Sequence, residues 1–183
     1  MTRDGRTVVF AAALDATEDI DIHLLDLSAE PKTAPLLTTD ANEIQPRLSP
    51  DEKWIAYASD VTGRTEVYVQ RFPGLGATVR ISPNGGQEPL WSPSGNRLFY
   101  RSLNGRRVFA VNVLSGDPLE VGTEQFLFEG SFTPGLRWGR TWDMHPDGTR
   151  FLMLLVESSQ SPEDIRVVVN WFSELDRLVP AKH

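Results

Sequence analysis

Leu48-Ser49-Pro50-Asp51-Glu52-Lys53-Trp54-Ile55-Ala56-Tyr57 decides the fold, because the chain repeats it. The phrase returns as Trp91-Ser92-Pro93-Ser94-Gly95-Asn96-Arg97-Leu98-Phe99-Tyr100. It returns again as Met144-His145-Pro146-Asp147-Gly148-Thr149-Arg150-Phe151-Leu152-Met153. A shortened copy, Asp4-Gly5-Arg6-Thr7-Val8-Val9-Phe10, opens the chain. Counting from Asp4 to Asp51, Ser94 and Asp147 gives intervals of 47, 43 and 53 residues. Periods of ~40–50 residues that each hold several short strands mark the blades of a β-propeller.

The chemistry of the phrase is that of a tight hairpin. Pro50, Pro93 and Pro146 set φ for the first central position of a type I turn. Asp51 and Asp147 suit the second, where a carboxylate accepts from nearby backbone N–H groups. Gly5, Gly95 and Gly148 supply the left-handed residue that closes a three-residue hairpin. Three residues depart from this pattern: Glu52 at the glycine position, Ser94 at the aspartate position and His145 at the serine position. A positive φ at Glu52 should cost about 1 kcal/mol.

Strands follow from what flanks each turn. Trp54–Ala58, Leu98–Tyr100 and Phe151–Leu155 are aromatic and β-branched runs directly after it. A second strand comes at Ile20–Leu24, Glu66–Gln70, Arg107–Val111 and Ile165–Val169, and a third at Pro35–Thr38, Val79–Ser82 and Phe126–Phe128. Glu43–Ser49 and Glu88–Ser92 precede the turns as innermost strands, which the first repeat lacks. The fold class is therefore all-β: a β-propeller of four-stranded antiparallel blades, about four in number and forming an incomplete ring. The whole chain, 1–183, reads as one propeller region with blades of about 1–42, 43–86, 87–134 and 135–172. A tail of 173–183 remains, in which Ser173 caps a short helix over Glu174–Leu178 ahead of Pro180.

Composition narrows the function. Lys and Arg number 18 against 25 Asp and Glu, a net charge of -7, which repels phosphate backbones and makes nucleic acid an unexpected partner. There is no cysteine, so disulfides, thiolate metal sites and cysteine nucleophiles are excluded, and reducing and oxidising compartments stay equally open. The apolar run Val8–Leu14 follows Arg3 and Arg6, but Asp4 interrupts the basic segment and a buried strand explains it better than a secretory leader. No run reaches the ~20 apolar residues of a membrane span.

The repeated phrase resembles the WD40-like propeller repeats of TolB-type proteins over most of the chain. More narrowly, Asn42-Glu43-Ile44-Gln45-Pro46-Arg47-Leu48-Ser49-Pro50, Glu66-Val67-Tyr68-Val69-Gln70-Arg71-Phe72-Pro73 and Val168-Val169-Asn170-Trp171-Phe172-Ser173-Glu174-Leu175 are similar to the C-terminal region of bacterial serine/threonine protein kinases that carry such a propeller. That resemblance implies a sensory or scaffolding module joined to a kinase. The kinase motifs themselves do not occur in these residues. Two other settings are compatible with the repeats: the gating propeller of a prolyl-oligopeptidase-type peptidase, and a stand-alone TolB-like periplasmic interaction protein.

Catalysis finds little support. Gly130-Ser131-Phe132-Thr133-Pro134-Gly135 has the wrong spacing for a nucleophile elbow, and His145 replaces a turn serine. His23 lies opposite in phase to Ile22 and Leu24. Asp15, Glu18, Asp19 and Asp21 lack the glycine-turn spacing of a calcium loop and read as a solvated hairpin, so neither metal nor cofactor is expected. Trp54, Trp91 and Trp171 read as packing between blades. What remains is the mouth of the central channel, where Gln45, Glu88 and Thr141 hold matching offsets from Pro50, Pro93 and Pro146, with Arg140 beside Thr141. Converging polar groups there suit a protein or peptide, or a small polar ligand. The first repeat's missing inner strand implies completion of the ring by further N-terminal blades or by a homodimer.

Overall fold

The computed structural model describes residues 1–14, 19–74, 76–114, 116, 119–135 and 139–155, together with the backbone of 167–168. Among these residues all regular structure is β, in antiparallel sheets that follow one another in chain order. The first sheet holds β1 (Thr7–Ala12), β2 (Asp21–Asp26) and β3 (Lys32–Leu37). The second holds β4 (Glu43–Leu48), β5 (Trp54–Ser59), β6 (Glu66–Arg71) and β7 (Val79–Arg80). The third holds β8 (Gln87–Trp91), β9 (Arg97–Arg101), β10 (Arg107–Asn112) and β11 (Gln125–Glu129). The fourth holds β12 (Trp142–Met144), β13 (Phe151–Leu154) and β14 (Val167–Val168). The helix expected over Glu174–Leu178 and the tryptophan at 171 lie outside the described residues.

The hairpin chemistry is realised in each sheet. In the second, Ser49 N–H donates to Trp54 O at 2.8 Å, Glu52 N–H to Ser49 O at 2.9 Å, and Trp54 N–H to Ser49 Oγ at 3.0 Å. Ser92 closes the third turn the same way with Arg97 and Gly95. In the fourth, His145 stands in for serine, and its Nδ1 accepts from Asp147 N–H at 3.3 Å. Asp147 is held below the usual carboxylate range by hydrogen bonds from the Thr149 hydroxyl and backbone N–H, aided by Arg150 and His145. The first turn is more complete than its sequence shows, because Thr2 takes the serine role. Thr2 N–H donates to Thr7 O at 2.8 Å, Gly5 N–H to Thr2 O at 3.0 Å, and Thr7 N–H to Thr2 Oγ1 at 3.0 Å.

Glu52 does adopt a left-handed backbone, with φ 60, alongside Gly5, Gly95 and Gly148 at 71, 74 and 73. The neighbouring turns set how much room a side chain finds at this position of each repeat. A Cβ on Gly95 would sit 3.5 Å from Pro50 Cδ, and one on Gly148 would sit 3.3 Å from Pro93 Cδ. Gly95 and Gly148 thus pack on the proline of the preceding turn, whereas a Cβ on Gly5 would meet nothing within 4 Å. Before Glu52, the preceding turn carries Arg3 where the others carry proline, and the Glu52 carboxylate accepts from Arg3 N–H. The hairpins therefore stack edge to edge around one end of the structure.

Apolar side chains fill the spaces between successive sheets. Ile22 meets Ile55, Tyr57 and Tyr68 between the first and second sheets. Ala56, Val67 and Val69 meet Leu98, Tyr100, Val111 and Trp91 between the second and third. Phe99, Val108, Ala110 and Phe128 meet Trp142, Phe151 and Met153 between the third and fourth. Trp91 Nε1 also donates to Arg47 O across its interface at 3.1 Å, so it packs between sheets as expected. The third strand of the first sheet starts at Lys32, three residues before the expected Pro35, because the bend after Asp26 is short and its carboxylate accepts from Ser28 N–H at 2.9 Å.

Candidate functional site

The innermost strands β4 and β8 share an unusual local geometry. Both contain a register shift, between Ile44 and Arg47 and between Gln87 and Leu90. Gln45 and Glu88 sit in these bulges with φ 58 and 52, each just before a proline. A left-handed conformation at a residue with a Cβ costs about 1–2 kcal/mol, and a bulge turns its side chain away from strict alternation. The two side chains are thereby aimed sideways at the next sheet. Gln45 Oε1 accepts from Glu88 N–H at 2.8 Å, and Glu88 Oε1 accepts from Thr141 N–H at 2.8 Å. Positions related by the repeat are joined head to tail.

The four residues expected at the channel mouth accordingly separate into two pairs. Gln45 and Arg140 line an open cavity of about 260 Å³ with Val9, Phe10 and Ala11 of β1, Pro46 of β4, and Gly139. Glu88 and Thr141 are sealed behind it, 0% and 1% exposed. They belong to a buried ionic lock whose third member, Arg101, is also 0% exposed. Arg101 Nη1 lies 2.7 Å from Glu88 Oε2 and also donates to Thr141 Oγ1. Its remaining donors reach Gly105 O and, at 2.7 Å, Thr133 O. Burial lowers the Arg101 pKa, and the Glu88 carboxylate opposes that shift. The lock ties the third sheet to the segment entering the fourth.

Arg101 was not singled out by the sequence reading. Its one signal is a charged residue closing the buried run Leu98-Phe99-Tyr100, at the position where the second repeat has Ala58.

The cavity has an apolar wall on the β1 side and a cation at its rim. Arg140 is 3.8 Å from Asp143, which in turn lies 4.0 Å from Arg47 of β4. A ligand with an apolar portion and an anionic or amide group would match these walls. A second cavity of about 440 Å³ lies between the second and third sheets at the turn end, lined by Trp54, Arg71, Lys53, Asn96 and Leu119 among others.

At the junction of the first two sheets lie two buried acids, Asp21, which the sequence suggests is on a solvated hairpin, and Glu43 at the start of the inner strand β4. Asp21 is 6% exposed and Glu43 2%. Asp21 is buried because Ile22 and Ile20 carry the start of β2 inward, and Glu43 N–H donates to Ile20 O beside it. Burial pushes the Glu43 pKa up to about 7, against hydrogen bonds from Thr39 and Ser59 and with a further push from Asp21 and Asp60. His23 is buried too, facing Phe10 at 5.7 Å. Among the described residues no group of His, Asp and Glu is placed to hold a metal ion, and no helix is long and apolar enough to cross a membrane.

Four antiparallel sheets stacked through their faces, joined by repeated inner-strand contacts, define the class as a β-propeller. No family model matches the sequence, and no curated protein matches it. Solved structures do. TolB from Acinetobacter baumannii is 17% identical with a TM-score of 0.59, over 91% of this chain and 38% of that one. A puromycin-hydrolyzing peptidase from Mycobacterium tuberculosis is 20% identical with a TM-score of 0.64, over 100% of this chain and 31% of that one. A chain of the nidogen/laminin complex is 11% identical with a TM-score of 0.58, over 82% of this chain and 52% of that one. The likeness is one of fold, TolB-like and propeller-forming, and this chain spans between about a third and a half of each of these neighbours.

Proposed function

We propose that the chain is a non-catalytic propeller module that binds a protein, a peptide or a small polar ligand at the Gln45–Arg140 cavity, as the sensory or scaffolding part of a kinase-linked protein. The observation that carries the binding role is the cavity itself: an apolar wall of Val9, Phe10, Ala11 and Pro46 facing Gln45 and the rim cation Arg140. Glu88 and Thr141 support it from behind, since the lock sets the position of the strand bulge that Gln45 contacts. The kinase link is supported by the segments Asn42–Pro50, Glu66–Pro73 and 168–175, which are similar to kinase-borne propellers.

N-acetylphenylalanine supplies an aromatic ring and a carboxylate of the right size for a test, with N-acetylphenylalaninamide as its uncharged control. In an NMR titration the acid should shift the amides of Phe10, Gln45 and Arg140 saturably, and Arg140→Ala should abolish the preference over the amide. No saturable shift, or equal response to both compounds in the native chain, would refute the cavity as an anion-accepting site.

Two other settings have support of their own. The peptidase neighbour, which covers the whole of this chain, favours a propeller that screens access to a hydrolase domain. The Acinetobacter neighbour favours a stand-alone TolB-like interaction protein. The coding sequence on either side of these 183 residues discriminates: kinase motifs, a hydrolase domain or a secretory leader each select one setting.

A further inference from the structure

The first and second sheets are joined through the backbone of one residue. Ile20 N–H donates to Asn42 Oδ1 at 3.3 Å, and Ile20 O accepts from Glu43 N–H at 2.6 Å. Asn42 is fixed in turn by Asp60, just beyond β5, whose carboxylate accepts from the Asn42 backbone N–H at 2.8 Å and from its Nδ2 at 2.9 Å. Two acids flank this junction, Asp21 at the start of β2 and Glu43 at the start of β4, and both are more than nine-tenths buried.

The two carboxyls are incompletely paired. Glu43 Oε1 accepts from Thr39 Oγ1 at 2.6 Å and from Ser59 Oγ at 3.2 Å, whereas Glu43 Oε2 and Asp21 Oδ1 are buried with no hydrogen-bond partner among the described residues. The charges that act on Glu43 among these residues are Asp21, from β2, and Asp60, from the end of β5, both of its own sign. Tyr57 of β5 also feels Glu43, but burial raises its pKa and keeps it neutral, and His23, buried on β2, has its ring 5.7 Å from that of Phe10. Neighbouring buried carboxylates without a cation resist ionising together, so one of them keeps its proton towards neutral pH. Glu43 is that group, with a pKa pushed up to about 7 by burial.

We propose that Asp21 and Glu43 make this junction a proton-operated clasp, which holds the first sheet on the second while one carboxyl is neutral and loosens when both are ionised. The second charge has no counter-ion among the described residues, and relieving it means separating β2 from β4 and so parting Ile20 from Asn42 and Glu43. The same movement reaches the 260 Å³ cavity. Asp21 pairs with Ala12 and Ile22 with Ala11 on β1, beside the wall of Val9, Phe10 and Ala11, while Gln45 and Pro46 follow Glu43 on β4. A weaker cavity above neutral pH follows, and that consequence alone rests on the binding reading above.

Amide hydrogen exchange followed by NMR tests the clasp without a ligand. After correction for the intrinsic pH dependence of exchange, protection of the Ile20 and Glu43 amides should fall about tenfold from pH 6 to pH 8, as a proton held near pH 7 requires, while the amides of β9 keep theirs. Glu43→Gln should abolish the fall, and Asp21→Asn should reduce it. No fall, an equal fall at β9, or a fall that persists in Glu43→Gln overturns the clasp. If Glu43→Gln does not fold, a fall left unchanged by Asp21→Asn overturns it instead. N-acetylphenylalanine then separates the two readings. Affinity that weakens over the same pH range in the native chain but not in Glu43→Gln supports both. No binding at any pH, alongside the expected exchange response, refutes the cavity and supports the clasp.

Discussion

The third and first sheets are built on the same hairpin, yet they are stabilised in different ways. The third has neighbours on both faces, an inner strand, and a buried charge pair whose partners are all satisfied. The first packs one face on Ile55 and Tyr57, lacks a described inner strand, and leaves the whole of β1 half-buried. Repetition of sequence therefore does not give repetition of stability: a blade's share depends on what its neighbours and its inner strand cover.

The largest expected effect lies in the lock. Glu88→Ala strands the buried Arg101 guanidinium and should cost about 3–5 kcal/mol in urea denaturation. The double change Glu88→Met with Arg101→Leu should recover most of that, and a single mutant no worse than the double would show that the charges are not coupled. Truncation of matched apolar positions sharpens the contrast between sheets. Leu98→Ala in the third sheet should cost about 2–5 kcal/mol, against about 1 kcal/mol for Val9→Ala in the first. Equal losses would erase the distinction drawn here.

Glu43 gives the junction between the first and second sheets its own signature. Its carboxyl titrates near 7 in the folded chain and at the ordinary 4.5 when unfolded, so the folded state holds the proton more tightly. Stability from this group is full below pH 4.5, falls as pH rises towards 7, and is level above it. Glu43→Gln should melt close to the native chain at pH 5 and be more stable at pH 8, by about 1–2 kcal/mol; a variant that melts lower at pH 8 would contradict the assignment. The smallest effect is at the turn. Glu52→Gly relieves about 1 kcal/mol of backbone strain but loses the bond to Arg3, so the melting temperature should rise slightly. A clear fall would show that the carboxylate bond outweighs the strain.

The fold was legible because its punctuation is local. Proline, aspartate and glycine specify the hairpins within five residues, and the interval between copies sets the blade size. Thr2 escaped notice because threonine differs from the repeat's serine and Arg3 replaces the proline that makes the phrase recognisable. The site was half legible. Matching offsets from the turns brought Gln45, Glu88 and Thr141 into view, and the structure links all three. Their roles were not readable, since Glu88 differs from Gln45 through a partner, Arg101, that lies on another strand and satisfies its charge only in three dimensions. The acid at Asp21 was opaque for a related reason. Charge in a sequence predicts solvation, and here the chain buries it against Ile20 and Ile22.

The contacts of Gly95 and Gly148 with the proline before each make the repeats sensitive to their order. Moving the second repeat to a place behind the third would bring the Glu52 Cβ to 3.3 Å from Pro93 Cδ, a tight contact that the proline must shift slightly to admit. A designer who shuffles or duplicates these modules must therefore transfer them as ordered pairs, with the tolerance at one hairpin inherited from its predecessor.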